Sequence, residues 1–252
     1  MEIIWHGTAS IELRTKEGKI LFDPFVPLKG SDVDVKTEDF DGFDDILITH
    51  GHFDHISDLP AIYKRNPNVK IRCTNAPYKT LLKKGIPKEN LILIKFGEEF
   101  TLNGFKILPL HGKHAVLPKL TPKLIESFVA SPAKANLHYI AHENRRCKEK
   151  GETVFYDIEA EGKRVDILGS LNLRDDAEYP TGCDLLIMAY NGWKDNLPPA
   201  VRVIERLQPK KVFLDHYDDT FPPLTGKIDL APILKKYAGK VKPLINNEKE
   251  IL

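Results

Sequence analysis

His50-Gly51-His52-Phe53-Asp54-His55 is the stretch on which the reading of this chain turns. Three imidazoles and a carboxylate follow directly on Asp45-Ile46-Leu47-Ile48-Thr49, a short apolar run typical of a strand covered on both faces. On extended backbone, side chains two apart project to the same side, so His50 and His52 can share one metal ion. Where the chain turns, Asp54 and His55 can face a second. Gly51 permits a tight bend between the ligands. Imidazole and carboxylate suit Zn(II), Mn(II) or Fe(II). The expected cofactor is therefore a divalent metal, one or two per chain, with zinc ahead of manganese and iron. The competing reading, a chance cluster of surface polar residues, gives no reason for such a density of ligands after a buried strand.

Strand and helix patterns alternate on both sides of this motif. Residues 2–5, 10–14 and 20–22 read as strands, the last two joined by a turn at Lys16-Glu17-Gly18-Lys19. Residues 57–65 read as a helix, 69–73 as a strand and 77–84 as a helix ended by Gly85. Residues 91–96 and 105–110 are expected as strands around Asn103-Gly104, and 153–160 with 164–168 as a hairpin across Glu161-Gly162. A strand at 185–189, a helix at 199–207, a strand at 211–214 leading into His216 and a last helix at 230–237 complete the series. Such alternation predicts an α/β class, with residues 1–252 as a single domain. Residues 112–150 are the exception. They are rich in Lys, Arg and Pro, carry His114, His138 and His142, and read as a surface excursion near a site with one helix around 122–129.

Composition narrows the function. Of 252 residues, 42% are hydrophobic, enough for a substantial core. Lys and Arg number 37 against 36 Asp and Glu, and no long basic stretch is interleaved with aromatics. That balance argues against nucleic acid as partner and against RNA processing. Cys73, Cys147 and Cys183 are odd in number and widely spaced, so neither a disulfide framework nor a CxxC zinc site is expected. They read as two buried hydrophobes and one loop thiol in a reducing compartment. The opening Met-Glu-Ile-Ile-Trp lacks a basic segment followed by an apolar one, and no apolar run approaches the roughly 20 residues that span a bilayer. A cytoplasmic protein without a membrane partner is the expectation.

The pattern His-x-His-x-Asp-His after a strand resembles the signature of the metallo-β-lactamase superfamily. The resemblance implies a four-layer αββα sandwich with the metals at one edge. The segments His6-Gly7-Thr8-Ala9-Ser10-Ile11, Phe22-Asp23-Pro24-Phe25 and Asp215-His216-Tyr217-Asp218-Asp219-Thr220-Phe221-Pro222-Pro223-Leu224 are similar to the branch containing L-ascorbate-6-phosphate lactonase. In that frame His50, His52 and His111 hold the first metal, and Asp54, His55 and His216 the second. His111 is favoured over His114 because it follows its strand directly; His114 is then a pocket residue behind the ligands. His6 is placed beside the metals. Asp23 would hydrogen-bond a ligand imidazole and fix its tautomer. The Asn191 amide is a candidate substrate contact; Tyr217, Trp5 and Trp193 are rings that could stack on a substrate, although burial in the core is the commoner role of such side chains.

One position departs from the family pattern, which has Gly-Asp where this chain has Gly169-Ser170. The missing carboxylate would bridge the metals, and two close divalent cations need negative charge between them. The outcomes, in order of preference, are one tightly held metal, a substitute carboxylate from Asp175 or Asp176, or loss of hydrolysis.

What the resemblance implies chemically is metal-activated hydroxide attacking a carbonyl or phosphorus centre, with Asp54 orienting the nucleophile and returning a proton to the leaving group. Ester, lactone, phosphodiester and thioester bonds all suit that machinery. Lys113, Lys119, Lys123, Lys134, Arg145, Arg146 and Lys148 would select a small anionic substrate if they lined the metal pocket; a solvated basic face is the alternative. The expected function is a metal-dependent hydrolase of a small anionic metabolite, against a degraded relative that only binds a metal or ligand. The resemblance leaves a homo-oligomer open.

Overall fold

The computed structural model describes every residue except Pro118 and Leu120. The first half of the chain forms β1 (Glu2–Trp5), β2 (Ile11–Arg14), β3 (Lys19–Phe22), β4 (Asp45–Leu47), α1 (Phe53–Ile56), α2 (Leu59–Arg65), β5 (Lys70–Cys73), α3 (Asn75–Lys83) and β6 (Leu91–Leu93). The second contains β7 (Phe100–Leu102), β8 (Phe105–His111), α4 (Pro122–Ala130), α5 (Asn136–Arg146), β9 (Val154–Ala160), β10 (Lys163–Leu168) and β11 (Leu185–Ala189). It continues through α6 (Leu197–Leu207), β12 (Lys211–Asp215), α7 (Ala231–Lys236) and β13 (Val241–Pro243) to β14 (Lys249–Ile251).

The strands build two seven-stranded sheets, β14-β1-β2-β3-β4-β5-β6 and β13-β12-β11-β10-β9-β8-β7. Each begins with antiparallel pairings and ends with parallel ones: β3-β4, β4-β5 and β5-β6 in one, β10-β11, β11-β12 and β12-β13 in the other. Parallel strands need crossovers, and these bring helices to the outer faces.

Period-2 alternation sorts each strand between two cores. In β3, Ile20 and Phe22 point between the sheets while Leu21 points outward. In β11, Ile187 faces the other sheet while Leu186 and Met188 face the helices. The inter-sheet core joins Trp5, Ile11, Leu13 and Leu47 to Phe105, Ile107, Tyr156 and Ile167. Leu59 and Ile62 of α2, Leu81 of α3 and Ile140 of α5 cover the first sheet. Val203 and Ile204 of α6 and Ile233 of α7 cover the second. The result is the αββα sandwich implied by the histidine motif.

Some local expectations need correction. All three cysteines are buried and free; Cys147 and Cys183 lie in loops, so two rather than one sit outside the regular elements, and none is exposed. The excursion carries a second helix, α5, whose only buried residues are Ile140 and Glu143, too few to print an apolar periodicity. The short edge strands β7, β13 and β14 were also not anticipated, since three residues each cannot display a pattern.

Ile187 is fully buried between the sheets. Ile187→Ala is expected to cost about 2–5 kcal/mol by urea denaturation. A loss under about 0.5 kcal/mol, the scale of a surface change, would contradict this packing.

Candidate metal centre

Parallel strands deliver their C-terminal loops to one edge, and there the imidazoles meet. Beyond β4, His52 is the N-cap of α1 (φ −75°, ψ 159°), so Asp54 and His55 lie on the first helical turn. That switch from strand to helix divides the motif between two groups. One is His50, His52 and His114; the other is Asp54, His55 and His216. Within each group, ligand-capable atoms lie within 4.8 Å of one another. The groups adjoin, with the His50 and His55 rings 3.8 Å apart between centroids.

The third imidazole of the first group is therefore His114, and the preference for His111 is corrected. Strand β8 runs one residue further than expected, and His111 still pairs with Val154 in the sheet. Its exposed ring stacks on Phe96, centroids 3.6 Å apart. The chain needs Gly112 and Lys113 to leave the sheet before His114 reaches the His50 and His52 rings, at 4.9 and 4.4 Å.

Hydrogen bonds fix which ring nitrogens are free. Asp23, fully buried, accepts from the Thr49 amide at 2.8 Å and the Thr49 hydroxyl at 2.5 Å. Its carboxylate also lies 2.9 Å from His55 Nδ1. Since the Thr49 hydroxyl proton goes to Asp23, its oxygen can only accept from His50 Nδ1–H, at 3.1 Å. Both rings are thus held as Nδ1–H tautomers with Nε2 lone pairs toward the centre. His50 Nε2 is buried and makes no hydrogen bond. A buried acceptor without a donor is costly, and a cation is the partner this one fits.

Electrostatics agree. Burial, with the facing imidazoles, pushes His50 well below its ordinary value. Burial likewise brings His52 down to about 4 against the pull of Asp54, and lowers His114. These rings are neutral at pH 7, as ligands must be. Burial would raise Asp54, but His55 and His216 outweigh it and hold the carboxyl below the usual range. Burial opposes a charged His216, yet Asp54, 3.3 Å from its Nε2, raises it.

The remaining sequence candidates divide. Asp23 lies behind the second group, against His55 Nδ1. Asn191 Nδ2 lies 3.4 Å from His216 Nδ1. The placing of His6 beside the metals is corrected: it is in neither group, and its ring nitrogens meet Asn247 and Glu12 at 3.1 and 3.2 Å. Its neighbour Thr8 does the work for the site, accepting the His216 amide at 2.8 Å. Tyr217 is corrected too, since it packs on Trp5 and its hydroxyl donates to the Leu244 carbonyl. Trp193 donates to the Leu171 carbonyl. Asp175 pairs with Lys113 and Arg202, and Asp176 with Arg174, on the exposed surface, so neither replaces the missing carboxylate. Ser170 Oγ instead accepts the Ala115 amide at 2.9 Å, steadying the loop that carries His114.

Sequence reasoning missed Glu149. It shares with His114 a cleft of about 430 Å³ that also holds Lys113 and Arg174. Its charge is felt by both His52 and His114. Nothing in the sequence marked it, because it lies in the excursion outside any motif. Of the excursion's cations only Lys113 lines this cleft, and it is already paired.

Residues 19–217 match the family model described as a β-lactamase superfamily domain. A UPF0173 metal-dependent hydrolase of Methanobrevibacter smithii is 28% identical over 225 residues, 89% of this chain and 84% of that protein. Another UPF0173 metal-dependent hydrolase, from Bacillus velezensis, is 27% identical over 248 residues, 96% of both chains. Among solved structures, Igni18, a metallo hydrolase of Ignicoccus hospitalis, superposes with a TM-score of 0.65 at 20% identity, covering 100% of this chain and 98% of its own. Zn(2+)-bound PqqB of Methylobacterium extorquens gives 0.64 at 14% identity, covering 100% of both. At these identities the structural likeness bears on fold alone.

Two expectations follow. His114→Ala should lower zinc affinity more than about tenfold while His111→Ala leaves it unchanged, read by competition with a chromophoric chelator; the reverse order would overturn the assignment. In metal-free protein the His52 ring, its pKa depressed, stays neutral down to about 4. Between that pH and the ordinary imidazole value its lone pair is free without releasing a proton. An NMR titration placing His52 at the ordinary imidazole value would contradict this.

Proposed function

The chain belongs to the β-lactamase superfamily, and from that membership we propose that it is a metal-dependent hydrolase cleaving an ester, lactone or phosphodiester bond of a small metabolite. The observation that carries the reading is the buried, unpartnered Nε2 of His50, whose Nδ1 is tied to Thr49 and whose ring sits among those of His52, His55 and His114. A surface cluster of histidines has no cause to orphan a nitrogen in this way.

His50, His52 and His114 would hold one divalent cation, and Asp54, His55 and His216 a second. Such a cation supplies Lewis acidity, which makes water a competent nucleophile near neutral pH and stabilises negative charge on a substrate oxygen. Zinc suits this nitrogen-rich donor set best, ahead of manganese and iron.

The chain's own groups do the rest. Asp23 and Thr49 orient His50 and His55. Asp54, kept ionised, contributes negative charge to the second group and can accept a hydrogen bond from the attacking water. Glu149 faces the cleft near His52 and His114 with its carboxylate positioned by the Thr153 hydroxyl and the Gly151 amide, each at 2.8 Å. It is a second candidate to hold or move a proton there. The cleft mixes Lys113 and Arg174 with Glu149, Asp175 and Asp176, so it does not itself select an anion. An anionic substrate group would be drawn by the metals.

Ser170 bears on how many cations are held. Three neutral imidazoles bring no charge to the first group, and Asp54 is the one carboxylate of the second. Without a bridging Asp, repulsion between two dications is poorly offset. We therefore expect one tightly bound metal per chain and a weaker second.

The test is metal content per chain by plasma mass spectrometry, with hydrolysis of bis(p-nitrophenyl) phosphate and a simple lactone before and after chelation. The proposal expects one metal in the wild-type chain, chelator-sensitive turnover, and higher second-site occupancy in Ser170→Asp. Metal retention with no turnover in wild type, but turnover in Ser170→Asp, would favour a degraded, binding-only relative. No metal uptake by either protein would remove the basis of the proposal.

A further inference from the structure

The segment 148–152 is a wall between two cavities. Glu149 and Gly151 line the cleft beside His114, whereas Lys148, Lys150 and Glu152 line a second cavity of about 380 Å³. The second is strongly basic. Lys79 and Lys83, one turn apart on α3, face it together with Lys84 at the end of that helix. Arg145 and Arg146, in the last turn of α5, approach from the opposite side.

Most of these charges are not neutralised locally. Lys84 pairs with Glu143. Among the described residues, the other cations of the cavity make no ion pair. Glu152 is the one acid in the lining, and its carboxylate already accepts the Ala76 amide at 2.6 Å. A solvated basic face spreads its charges over a convex surface. Here they converge on a concavity from two helices and an intervening strap.

The fold holds the strap in place despite the repulsion. The Lys148 carbonyl lies 2.5 Å from where a Cβ on Gly51 would stand, so the strap packs directly behind the metal-binding loop. The Arg146 carbonyl accepts from the Thr80 hydroxyl at 3.4 Å, tying the end of α5 to α3.

We propose that this cavity is an anion site, separate from the metal centre, for a small molecule carrying two or more phosphate groups. Two guanidinium groups among several ammonium groups match phosphate, which takes paired hydrogen bonds from Arg and point charge from Lys. The volume is that of a small-ligand site. The whole chain is nearly neutral, at +1, so the charge is local and suits a compact polyanion better than a nucleic-acid strand.

The test is calorimetric titration of the full-length protein with inorganic pyrophosphate, with sulfate as control, in wild type, Lys79→Glu/Lys83→Glu and His114→Ala. The proposal expects one pyrophosphate per chain at this site, bound more weakly as salt rises. That binding should survive His114→Ala and fall more than about tenfold in the charge-reversed variant, at an unchanged melting temperature. If charge reversal unfolds the chain, Lys79→Gln/Lys83→Gln should give a smaller loss in the same direction. Binding lost in His114→Ala but retained on charge reversal would assign the anion to the metal centre and overturn the proposal. So would sulfate binding as tightly as pyrophosphate, or no saturable binding at millimolar concentration.

Discussion

The buried carboxylate of Asp23 is the constraint on which the metal centre depends. It takes the Thr49 amide, the Thr49 hydroxyl and His55 Nδ1 at once. Through Thr49 it also sets the tautomer of His50. One anion thus orients an imidazole in each ligand group. Gly169 belongs to the same arrangement: a Cβ there would come within 2.7 Å of Thr49 Cβ, so only glycine lets the second sheet approach this closely. Both sheets meet at this point, and the Val154 amide donates to the Thr49 carbonyl at 2.7 Å.

Backbone strain gathers at the same edge. Asp23, Thr8 and His216 have φ of 43°, 49° and 56°, left-handed values that cost non-glycine residues energy. Each is held by specific bonds. His216 donates its amide to the Thr8 carbonyl, and Thr8 donates its own to Asp218 at 2.8 Å. The opening segment of the chain therefore serves the site as a clamp on the His216 loop. Strain of this kind persists where surrounding contacts over-determine it, and here those contacts aim ligands.

The strand-and-helix plan was legible because both faces of each sheet are covered. Buried strands such as β4 and β11 then read as unbroken apolar runs, and the crossovers between parallel strands read as helices. The motif at 50–55 announced its chemistry because its ligands are contiguous. Ligands separated from their strand were harder. His111 and His114 differ only in how far the chain travels beyond β8, and that distance is set by strand pairing with β9, which no local pattern encodes. Glu149 and the division of the excursion's cations were illegible for a related reason. Which side of the strap a residue faces depends on its packing behind Gly51. The role of Ser170 as acceptor for Ala115 could not be inferred either, since it is a tertiary contact between loops from different strands.

The central claim is that His50 and His55, tethered through their Nδ1 atoms, present Nε2 lone pairs to a cation within a cluster of imidazoles. X-ray absorption at the zinc edge, on protein loaded with one zinc per chain, tests it most directly. The account predicts a nitrogen-dominated shell at about 2.0–2.1 Å, with the outer scattering of several imidazole rings and no sulfur. A sulfur shell, or oxygen ligands without imidazole scattering, would contradict it.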